Sequence, residues 1–254
     1  MLEYIDSHAH YDDEAFDSDR DELLVRVHES GVKYIINMGC NMERSRFSVE
    51  YANKFTFIYA AVGIHPEDVD KAPADYLEQL RKWAADPKVV AIGEIGLDYH
   101  YEKESRENQL IILEKQIQLA NELNMPIIFH DRESHEDTLN LLKKYKPKGV
   151  LHCFSGSVEM AKEIIKLGMY IGLGGAVTFK NAVKPCEVAK FVPEDRLLIE
   201  TDAPYMTPVP FRGKRCDSLY IPYTAEKIAE LRGVSAQEIL DLTDKNARTL
   251  FNIK

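Results

Sequence analysis

The sequence predicts an α/β fold of the (β/α)8 TIM-barrel type, and two observations support this prediction. Eight short runs rich in β-forming residues alternate with longer segments of helical period, and Gly or Pro separates many of them. The chain has 254 residues, 45% of them hydrophobic, and is long enough to bury the core of one such barrel. An open doubly wound sheet would usually contain fewer strands.

Each element follows from a local pattern. Short apolar runs predict strands over residues 4–7, 34–38, 57–62, 89–92, 126–129, 149–151, 170–172 and 197–199. Apolar residues repeating with a period near 3.6 predict helices over residues 19–29, 44–53, 74–85, 106–123, 135–145, 158–167, 182–190, 224–231 and 236–251. We find no linker, low-complexity tract or internal repeat, so a single TIM-barrel domain is predicted over residues 1–254.

Composition excludes several classes of function. The formal net charge is −10, so any polyanion must be held by local groups or by metals rather than by a global field. There is no basic segment followed by an apolar leader, and no run approaches the roughly 18 apolar residues that span a bilayer. Four scattered cysteines without C-x-x-C spacing indicate reduced thiols. We expect a cytoplasmic protein without membrane contact, and favour a monomer.

The first predicted strand carries a candidate metal motif. Residues two apart in a strand project to the same side, so His8 and His10 project together. Two imidazoles leave most of a cation's coordination sphere empty, so further ligands must come from elsewhere in the chain. By itself, the motif is more typical of a surface or core histidine pair than of a metal site.

Other strand ends supply the missing ligand types. A TIM barrel places its active groups at the C-terminal ends of its strands. Five of the eight histidines lie at predicted strand ends, as do two carboxylates. In chain order, these residues are His8, His10, His65, Glu94, His130, His152 and Asp202.

These groups are sufficient to bind two divalent cations. Our hypothesis assigns to the first ion His8, His10 and Asp202, and to the second ion His130 and His152. Glu94 lies between the ions and offers one carboxylate oxygen to each. Burying so many ionisable groups around one point would be costly without a cation. The metal itself stays open among Mg²⁺, Mn²⁺ and Zn²⁺.

At these residues the chain resembles the TatD metal-dependent hydrolases, which have barrels of the amidohydrolase type. The resemblance spans nearly the whole chain. Its motifs are D-S-H-A-H at 6–10, G-I-H-P at 63–66, G-E-I-G-L-D-Y at 93–99, F-H-D-R-E at 129–133, H-C-F-S-G at 152–156, E-T-D-A-P-Y at 200–205 and T-P-V-P-F-R-G-K-R at 207–215. It implies a deoxyribonuclease, typically a 3′ to 5′ exonuclease, with single-stranded DNA ends as the expected substrate. It also implies ligand roles for His8, His10, Glu94, His130, His152 and Asp202.

Two segments depart from the family pattern. Cys216-Asp217-Ser218 stands where the family commonly has Asn-Glu-Pro, and Asp131 stands where a small residue, often Ser, is usual. Neither departure removes a predicted ligand. The first lies in the loop after the eighth strand, where we expect it to affect substrate entry.

The two-ion hypothesis assigns further roles. Asp202 is the expected general base, since it can contact both a metal and the attacking water, and Glu200 is expected to tune it. Glu94 is the second catalytic carboxylate, between the ions. We expect His65 to donate a hydrogen bond to phosphate; a buried structural histidine is the alternative. Arg132 either orients phosphate or forms a structural ion pair at the rim.

A basic loop offers further phosphate contacts. Three cations, Arg212, Lys214 and Arg215, lie within four residues after the eighth strand. Guanidinium groups bind phosphate oxygens in bidentate fashion. We therefore predict that Arg212 and Arg215 bind substrate; a solvated basic turn paired with carboxylates is the alternative.

Three functions remain in view from the sequence. The first is a two-metal phosphodiesterase acting on DNA. The second is an ester or amide hydrolase with the same ligands, such as a D-aminoacyl-tRNA deacylase, because a metal-activated water attacks carbonyl carbon as readily as phosphorus. The third is a non-catalytic barrel that binds nucleic acid or a partner, and metal-dependent turnover would dismiss it.

Overall fold

The computed structural model describes residues 3–101 and 105–254, which form an eight-stranded parallel sheet surrounded by helices. The strands are β1 (Tyr4–Ala9), β2 (Val32–Asn37), β3 (Ile58–Val62), β4 (Val89–Asp98), β5 (Ile127–Arg132), β6 (Gly149–Leu151), β7 (Tyr170–Leu173) and β8 (Leu197–Ile199). Each strand pairs in parallel with the next one along the chain. The predicted (β/α)8 barrel is therefore confirmed.

Nine α-helices lie within the described ranges. They are α1 (Arg20–Glu29), α2 (Met42–Lys54), α3 (Tyr76–Trp83), α4 (Arg106–Glu122), α5 (His135–Tyr145), α6 (Val158–Lys166), α7 (Val183–Phe191), α8 (Ile221–Arg232) and α9 (Ala236–Phe251). Short 3₁₀ helices occur at Glu14–Phe16, Pro66–Lys71, Gly175–Thr178, Glu194–Arg196 and Ser218–Tyr220. Within residues 3–101 and 105–254, no helix is both long enough and apolar enough to cross a bilayer.

The two ends of the sheet meet just beyond β8. Ala9 and Ala203 form a parallel bridge. The His10 backbone N–H donates to Ala203 O at 2.7 Å, and the Asp202 N–H donates to His8 O at 2.9 Å. Closure therefore places the end of β1 beside residues some 190 positions further along the chain.

A buried carboxylate, Asp6, reinforces this closure. Asp6 accepts hydrogen bonds from Thr201 N at 3.0 Å, from Thr201 Oγ1 at 2.6 Å and from Ser218 Oγ at 2.7 Å. Burial raises the pKa of Asp6 to about 6, although the donors from Ser218 and Thr201 act in the opposite direction. Asp6 thus joins β1 to the segment after β8 and to the loop at Ser218.

The fourth strand is longer than the sequence predicted. The prediction ended this strand at Ile92, but β4 continues to Asp98, so Glu94 lies inside a strand rather than in the loop after it. The extension is supported by pairing with β5 as far as Asp98 and Arg132. A register shift between Ile92 and Ile95 interrupts the ladder where the sequence suggested an end.

Two glutamines of α4 hold the ends of β3 and β4. Gln116 Oε1 accepts from Ile64 N at 2.8 Å, and Gln116 Nε2 donates to Ile64 O at 3.0 Å. Gln109 makes the same pair of bonds, both at 2.9 Å, to the N–H and C=O of Asp98. Both amides are buried, and each satisfies one backbone N–H and one backbone C=O at the end of a strand.

The barrel core contains apolar residues from many strands and from the last helix. A buried cluster joins Ile5, Ile36 and Ile128 to Ala247 and Phe251 of α9. A larger cluster fills the layer between the strands and the surrounding helices. Because α9 contacts both β1 and β8, it packs across the seam at which the sheet closes.

We predict that Gln116→Met lowers the free energy of unfolding by about 2–6 kcal/mol. The substitution leaves a buried N–H and a buried C=O of Ile64 without partners, and each such group costs about 1–3 kcal/mol. Urea unfolding followed by circular dichroism would measure the change. Gln118→Met is the matched control, because Gln118 is exposed on the same helix and should change stability by less than about 0.5 kcal/mol. Equal losses in both variants would contradict this role of Gln116.

Candidate metal centre

The structure brings the six predicted ligand residues together at the C-terminal ends of the strands. Three lie in the strands themselves, namely His8 in β1, Glu94 in β4 and His130 in β5. The others follow strand ends and are His10, His152 and Asp202. Below, "the first group" means His8, His10 and Asp202, and "the second group" means His130 and His152. Glu94 lies between the two groups.

The first group converges on one oxygen of Glu94. His8 Nε2 and His10 Nε2 are each 3.4 Å from Glu94 Oε2 and 3.0 Å from each other. Asp202 Oδ1 lies 3.6 Å from His8 Nε2 and 3.4 Å from His10 Nε2. Two ring nitrogens and two carboxylate oxygens therefore face one point.

The second group faces the other oxygen of Glu94. His130 Nδ1 is 3.0 Å and His152 Nε2 is 2.8 Å from Glu94 Oε1. These two ring nitrogens are 3.3 Å apart. The Glu94 carboxylate therefore presents a different oxygen to each group, which is the arrangement that the sequence hypothesis requires.

His65 also reaches Glu94, but its ring has a different hydrogen-bonding state. His65 Nε2 lies 3.5 Å from Glu94 Oε1. The Glu67 backbone N–H donates to His65 Nδ1 at 3.2 Å, so the neutral ring must carry its hydrogen on Nε2. A protonated Nε2 is a hydrogen-bond donor and not a cation ligand. His65 is therefore placed as a donor beside the two groups, consistent with the phosphate contact predicted for it.

The pKa values of the ligand residues indicate which of them are ionised before a cation binds. Burial acts to raise the pKa of the Glu94 carboxyl, but the surrounding histidines hold that pKa well below its usual range. Burial lowers the pKa of His8 to about 3, which keeps this ring neutral. Burial also acts on His130, but Asp98 and Glu94 raise its pKa to about 10. A cation bound at His130 must therefore displace a proton.

Further groups contact the outer sides of the histidine rings. His130 Nε2 lies 3.0 Å from Asp98 Oδ2. Glu200 Oε1 lies 3.7 Å from His152 Nδ1 and accepts a short hydrogen bond from the Cys153 N–H. Burial raises the pKa of Glu200 to about 8. Carboxylates in such positions orient metal-binding histidines and select their tautomer.

The donor set fits a divalent cation. The nitrogen and oxygen donors at the site are the types that Mn²⁺ and Zn²⁺ accept, and the carboxylates also suit Mg²⁺. His8 Nδ1 and His152 Nδ1 are buried without a hydrogen-bond partner among the described residues. A histidine ring that binds metal through Nε2 must have a free lone pair on Nε2 and its hydrogen on Nδ1.

A cavity of about 830 Å³ opens above the two groups. Its cationic lining residues are Arg44, Lys71 and Arg132. The Arg132 guanidinium lies over the ring of Tyr101, 4.7 Å from its centroid. The rim also carries Tyr205, a residue that is 54% exposed. Arg132 therefore lies on the wall of the cavity that contains the two groups.

The structure does not bring Arg212 and Arg215 to this cavity. The Arg215 guanidinium donates to both carboxylate oxygens of Asp19, at 2.7 and 2.6 Å, and to Ala15 O at 2.8 Å. The Arg212 guanidinium stacks on Phe179, 3.7 Å from its centroid. For Arg215 the geometry matches the alternative of a basic turn paired with carboxylates, because its guanidinium is already bound to the carboxylate of Asp19.

The two departures from the family pattern have structural contacts. Cys216 and Ser218 are buried, and Ser218 Oγ lies 2.7 Å from Asp6 Oδ2. This segment therefore packs into the seam between β1 and β8, and the expected effect on substrate entry finds no support in its position. Asp131 accepts from Ser134 Oγ at 2.6 Å and lies 2.7 Å from His135 Nδ1, so it organises the start of α5.

Sequence reasoning missed Cys40 beside the first group. Cys40 Sγ lies 3.6 Å from His10 Nδ1 and 3.7 Å from Glu94 Oε2. The sequence interpretation treated it only as one of four scattered, reduced thiols. Its position shortly after β2, at the same end of the barrel as the ligands, was the available signal.

The chain matches the family described as TatD related DNase over residues 5–252. It belongs to the TatD family. Among relatives of this TatD chain, an uncharacterized metal-dependent hydrolase, YabD of Bacillus subtilis (strain 168), is 44% identical over 251 residues, 98% of each chain. The 3′-5′ ssDNA/RNA exonuclease TatD of Salmonella typhimurium is 35% identical over 247 residues, 94% of this chain and 95% of the relative.

Solved structures agree with this assignment. A TatD homologue from Escherichia coli K12, YJJV, superposes with a TM-score of 0.92 at 34% identity, covering 99% of this chain and 98% of that one. A TatD family hydrolase from Entamoeba histolytica gives 0.87 at 26% identity, with 98% of both chains covered. The resemblance seen in the sequence is confirmed, and the chain is a metal-dependent hydrolase of the TatD family.

We predict that removing divalent metal with EDTA abolishes hydrolysis and lowers the melting temperature. A ligand at 100 times its Kd stabilises the folded state by about 2.7 kcal/mol, and the buried carboxylates of Glu94 and Asp202 lose that contribution on chelation. Differential scanning fluorimetry and an activity assay would follow both effects. Adding back Mn²⁺ should restore them, whereas NaCl at equal ionic strength should not. Full activity after exhaustive chelation would contradict metal dependence at this site.

Proposed function

We propose that this TatD chain hydrolyses phosphodiester bonds at the 3′ end of single-stranded DNA, with two divalent cations at the barrel mouth. The observation that carries the proposal is the position of Glu94, whose two oxygens face two separate sets of ring nitrogens. The relative from Salmonella typhimurium, named a 3′-5′ ssDNA/RNA exonuclease, supports the strand type and the polarity.

Each ion is assigned to one group. The first would be held by His8, His10 and Asp202, and the second by His130 and His152. Glu94 would give one oxygen to each ion. Bound cations at such a pair of sites lower the pKa of water and neutralise the charge that develops on phosphoryl oxygens. The metal is one of Mg²⁺, Mn²⁺ and Zn²⁺.

Asp202 is the proposed general base. Burial acts to raise its pKa, but the hydrogen bond from His10 and the charges of nearby histidines hold the pKa below its usual value. Asp202 is therefore ionised at neutral pH and can accept a proton. Its side chain is 16% exposed and lines the cavity, whereas that of Glu94 is 4% exposed, so Asp202 is the carboxylate that water reaches more easily.

Two donors and one aromatic ring are proposed to hold the nucleotide. His65 offers an Nε2–H beside Glu94, and Arg132 offers a guanidinium on the cavity wall. Both suit phosphate oxygens, and bidentate contact with Arg132 would fix the orientation of the phosphate. The exposed face of Tyr205 suits the stacking of an unpaired base, which favours single strands.

One chain supplies the complete candidate site. The predicted ligands come from β1, β4 and β5 and from the loops after β1, β6 and β8 of the same barrel. We therefore propose that residues 1–254 act as one hydrolase domain and that a monomer is the active unit.

A parallel assay of three substrates tests the proposed activity. Purified protein with Mg²⁺, Mn²⁺ or Zn²⁺ would be given 3′-labelled single-stranded DNA, 5′-labelled single-stranded DNA and D-aminoacyl-tRNA. The proposal expects early release of the 3′ label as a mononucleotide and progressive shortening of the 5′-labelled strand. Turnover of D-aminoacyl-tRNA without DNA cleavage would replace the proposal with ester hydrolysis. Binding without turnover of any substrate would indicate a non-catalytic barrel.

We predict that Asp202→Asn lowers kcat by about 10²- to 10⁴-fold, because the amide keeps the shape of the side chain but loses its basicity. Weaker metal binding would add to the loss, so kcat is measured at saturating Mn²⁺. Asp195→Asn, at an exposed position before β8, is the matched control and should keep normal turnover. A kcat close to that of the parent would show that Asp202 is not the base.

We also predict that Arg132→Ala raises KM for an oligonucleotide about 10-fold or more, since a hydrogen bond to a charged group contributes about 1.5–3 kcal/mol. It should also weaken the salt dependence of binding. Arg215→Ala is the matched control, because Arg215 is paired with Asp19, and its KM should stay within about twofold of the parent value. Bis(p-nitrophenyl) phosphate would report on the metal site itself. A selective rise in KM with Arg215→Ala would place that loop in the substrate path.

A further inference from the structure

A buried carboxylate lies on the side of the histidines that faces away from the Glu94 carboxylate. Glu200 directly follows β8 and is 1% exposed. Glu200, His8 and His152 each offer one potential ligand atom, and these three atoms all lie within 4.8 Å of one another. Glu200 thus approaches one histidine from each of the two groups.

The two histidine rings present the same edge to this carboxylate. His8 and His152 are stacked, with ring centroids 3.9 Å apart and planes 8° from parallel. Both use Nε2 toward Glu94, so both have Nδ1 on the remaining side. Within residues 3–101 and 105–254, neither Nδ1 atom has a hydrogen-bond partner, although both are buried.

The two rings need a hydrogen-bond acceptor on their Nδ1 side, and Glu200 can provide it. A ring that gives its Nε2 lone pair to a cation must carry its hydrogen on Nδ1, and a buried N–H needs an acceptor. Glu200 Oε1 lies 3.7 Å from His152 Nδ1 and is fixed by the Cys153 N–H. Glu200 Oε2 is buried and has no partner among the described residues. In its ionised form, which nearby cations would favour, this carboxylate therefore offers two acceptor atoms to two unpaired ring N–H groups.

The space for this carboxylate is created by Gly172 of β7. A Cβ at position 172 would lie 2.5 Å from Glu200 Oε2 and 3.0 Å from its carboxyl carbon. Gly172 therefore serves to leave room behind the two rings. Any side chain there would push the Glu200 carboxylate out of its position.

We propose that Glu200 is a positioning residue shared by both ion sites, which accepts the Nδ1–H of His8 and of His152 and so couples the affinities of the two ions. This inference rests on the two-ion assignment of the proposed function. Asp98 provides the contrast, because it contacts His130 of the second group at 3.0 Å. Loss of Glu200 should weaken both ions, whereas loss of Asp98 should weaken one.

Mn²⁺ binding to purified protein tests the proposal without reference to turnover. Isothermal titration calorimetry gives the number and affinities of the ions, and electron paramagnetic resonance counts free Mn²⁺ independently. For Glu200→Gln, which can no longer accept from both rings, we expect both dissociation constants to rise about 10- to 100-fold. For Asp98→Asn we expect a rise of that size in one constant. Gly172→Ala keeps Glu200 itself and should reproduce the rise in both constants.

A second readout separates positioning from a merely structural role. In the metal-free protein, Glu200→Gln replaces a buried, poorly hydrogen-bonded carboxyl by a neutral amide, so its melting temperature should be unchanged or higher than that of the parent. The increase in melting temperature on adding Mn²⁺ should shrink. A lower metal-free melting temperature together with an unchanged Mn²⁺-induced increase would overturn the proposal.

The outcomes distinguish this inference from the proposed function. Parent protein that binds fewer than two Mn²⁺ ions would overturn the two-ion assignment. If the parent binds two ions and Glu200→Gln changes neither affinity, or changes one, the shared role of Glu200 is overturned while the two-ion assignment stands. Gly172→Ala decides the matter in the same way if Glu200→Gln fails to fold.

Discussion

The negative charge of Glu94, buried at the mouth of the barrel, is the constraint on which the rest of the site depends. A carboxylate that is 3% exposed must be matched by donors or cations, and the chain meets this need with histidines from several strands. Those strands are far apart in sequence and adjacent in space because the sheet closes on itself. Barrel closure and charge neutralisation are thus satisfied by the same geometry.

The fold and most of the candidate site could be predicted from the sequence because both follow repeating local rules. The periods of strands and helices are visible in short stretches of sequence. In a barrel, residues that follow the strands all lie at the same rim, so their positions along the chain predict that they are close in space. The length of β4 was missed because Gly93 and Gly96 look like punctuation, whereas pairing with β5 carries the strand through both.

What the sequence did not reveal depends on partners that are distant along the chain. Arg215 looked like a phosphate ligand because its loop is basic, but its partner Asp19 is 196 residues away. Gln116 and Gln109 looked like ordinary helix residues, since burial of an amide against a strand end leaves no local pattern. Such pairings are set by the tertiary arrangement, which no short window contains.

The seam between β1 and the segment after β8 has a consequence for how the chain is made. Ala9 can pair with Ala203 only after the ribosome has added the residues between them. Because ribosomes add about 5–20 residues per second, one edge of β1 stays unpaired for about 10–40 s during synthesis. An open apolar edge invites pairing with strands of other nascent chains. Asp6, a charged residue in the middle of this strand, discourages such pairing until Thr201 and Ser218 arrive to satisfy it. We therefore expect the carboxylate that secures the finished barrel to limit aggregation of the unfinished one as well.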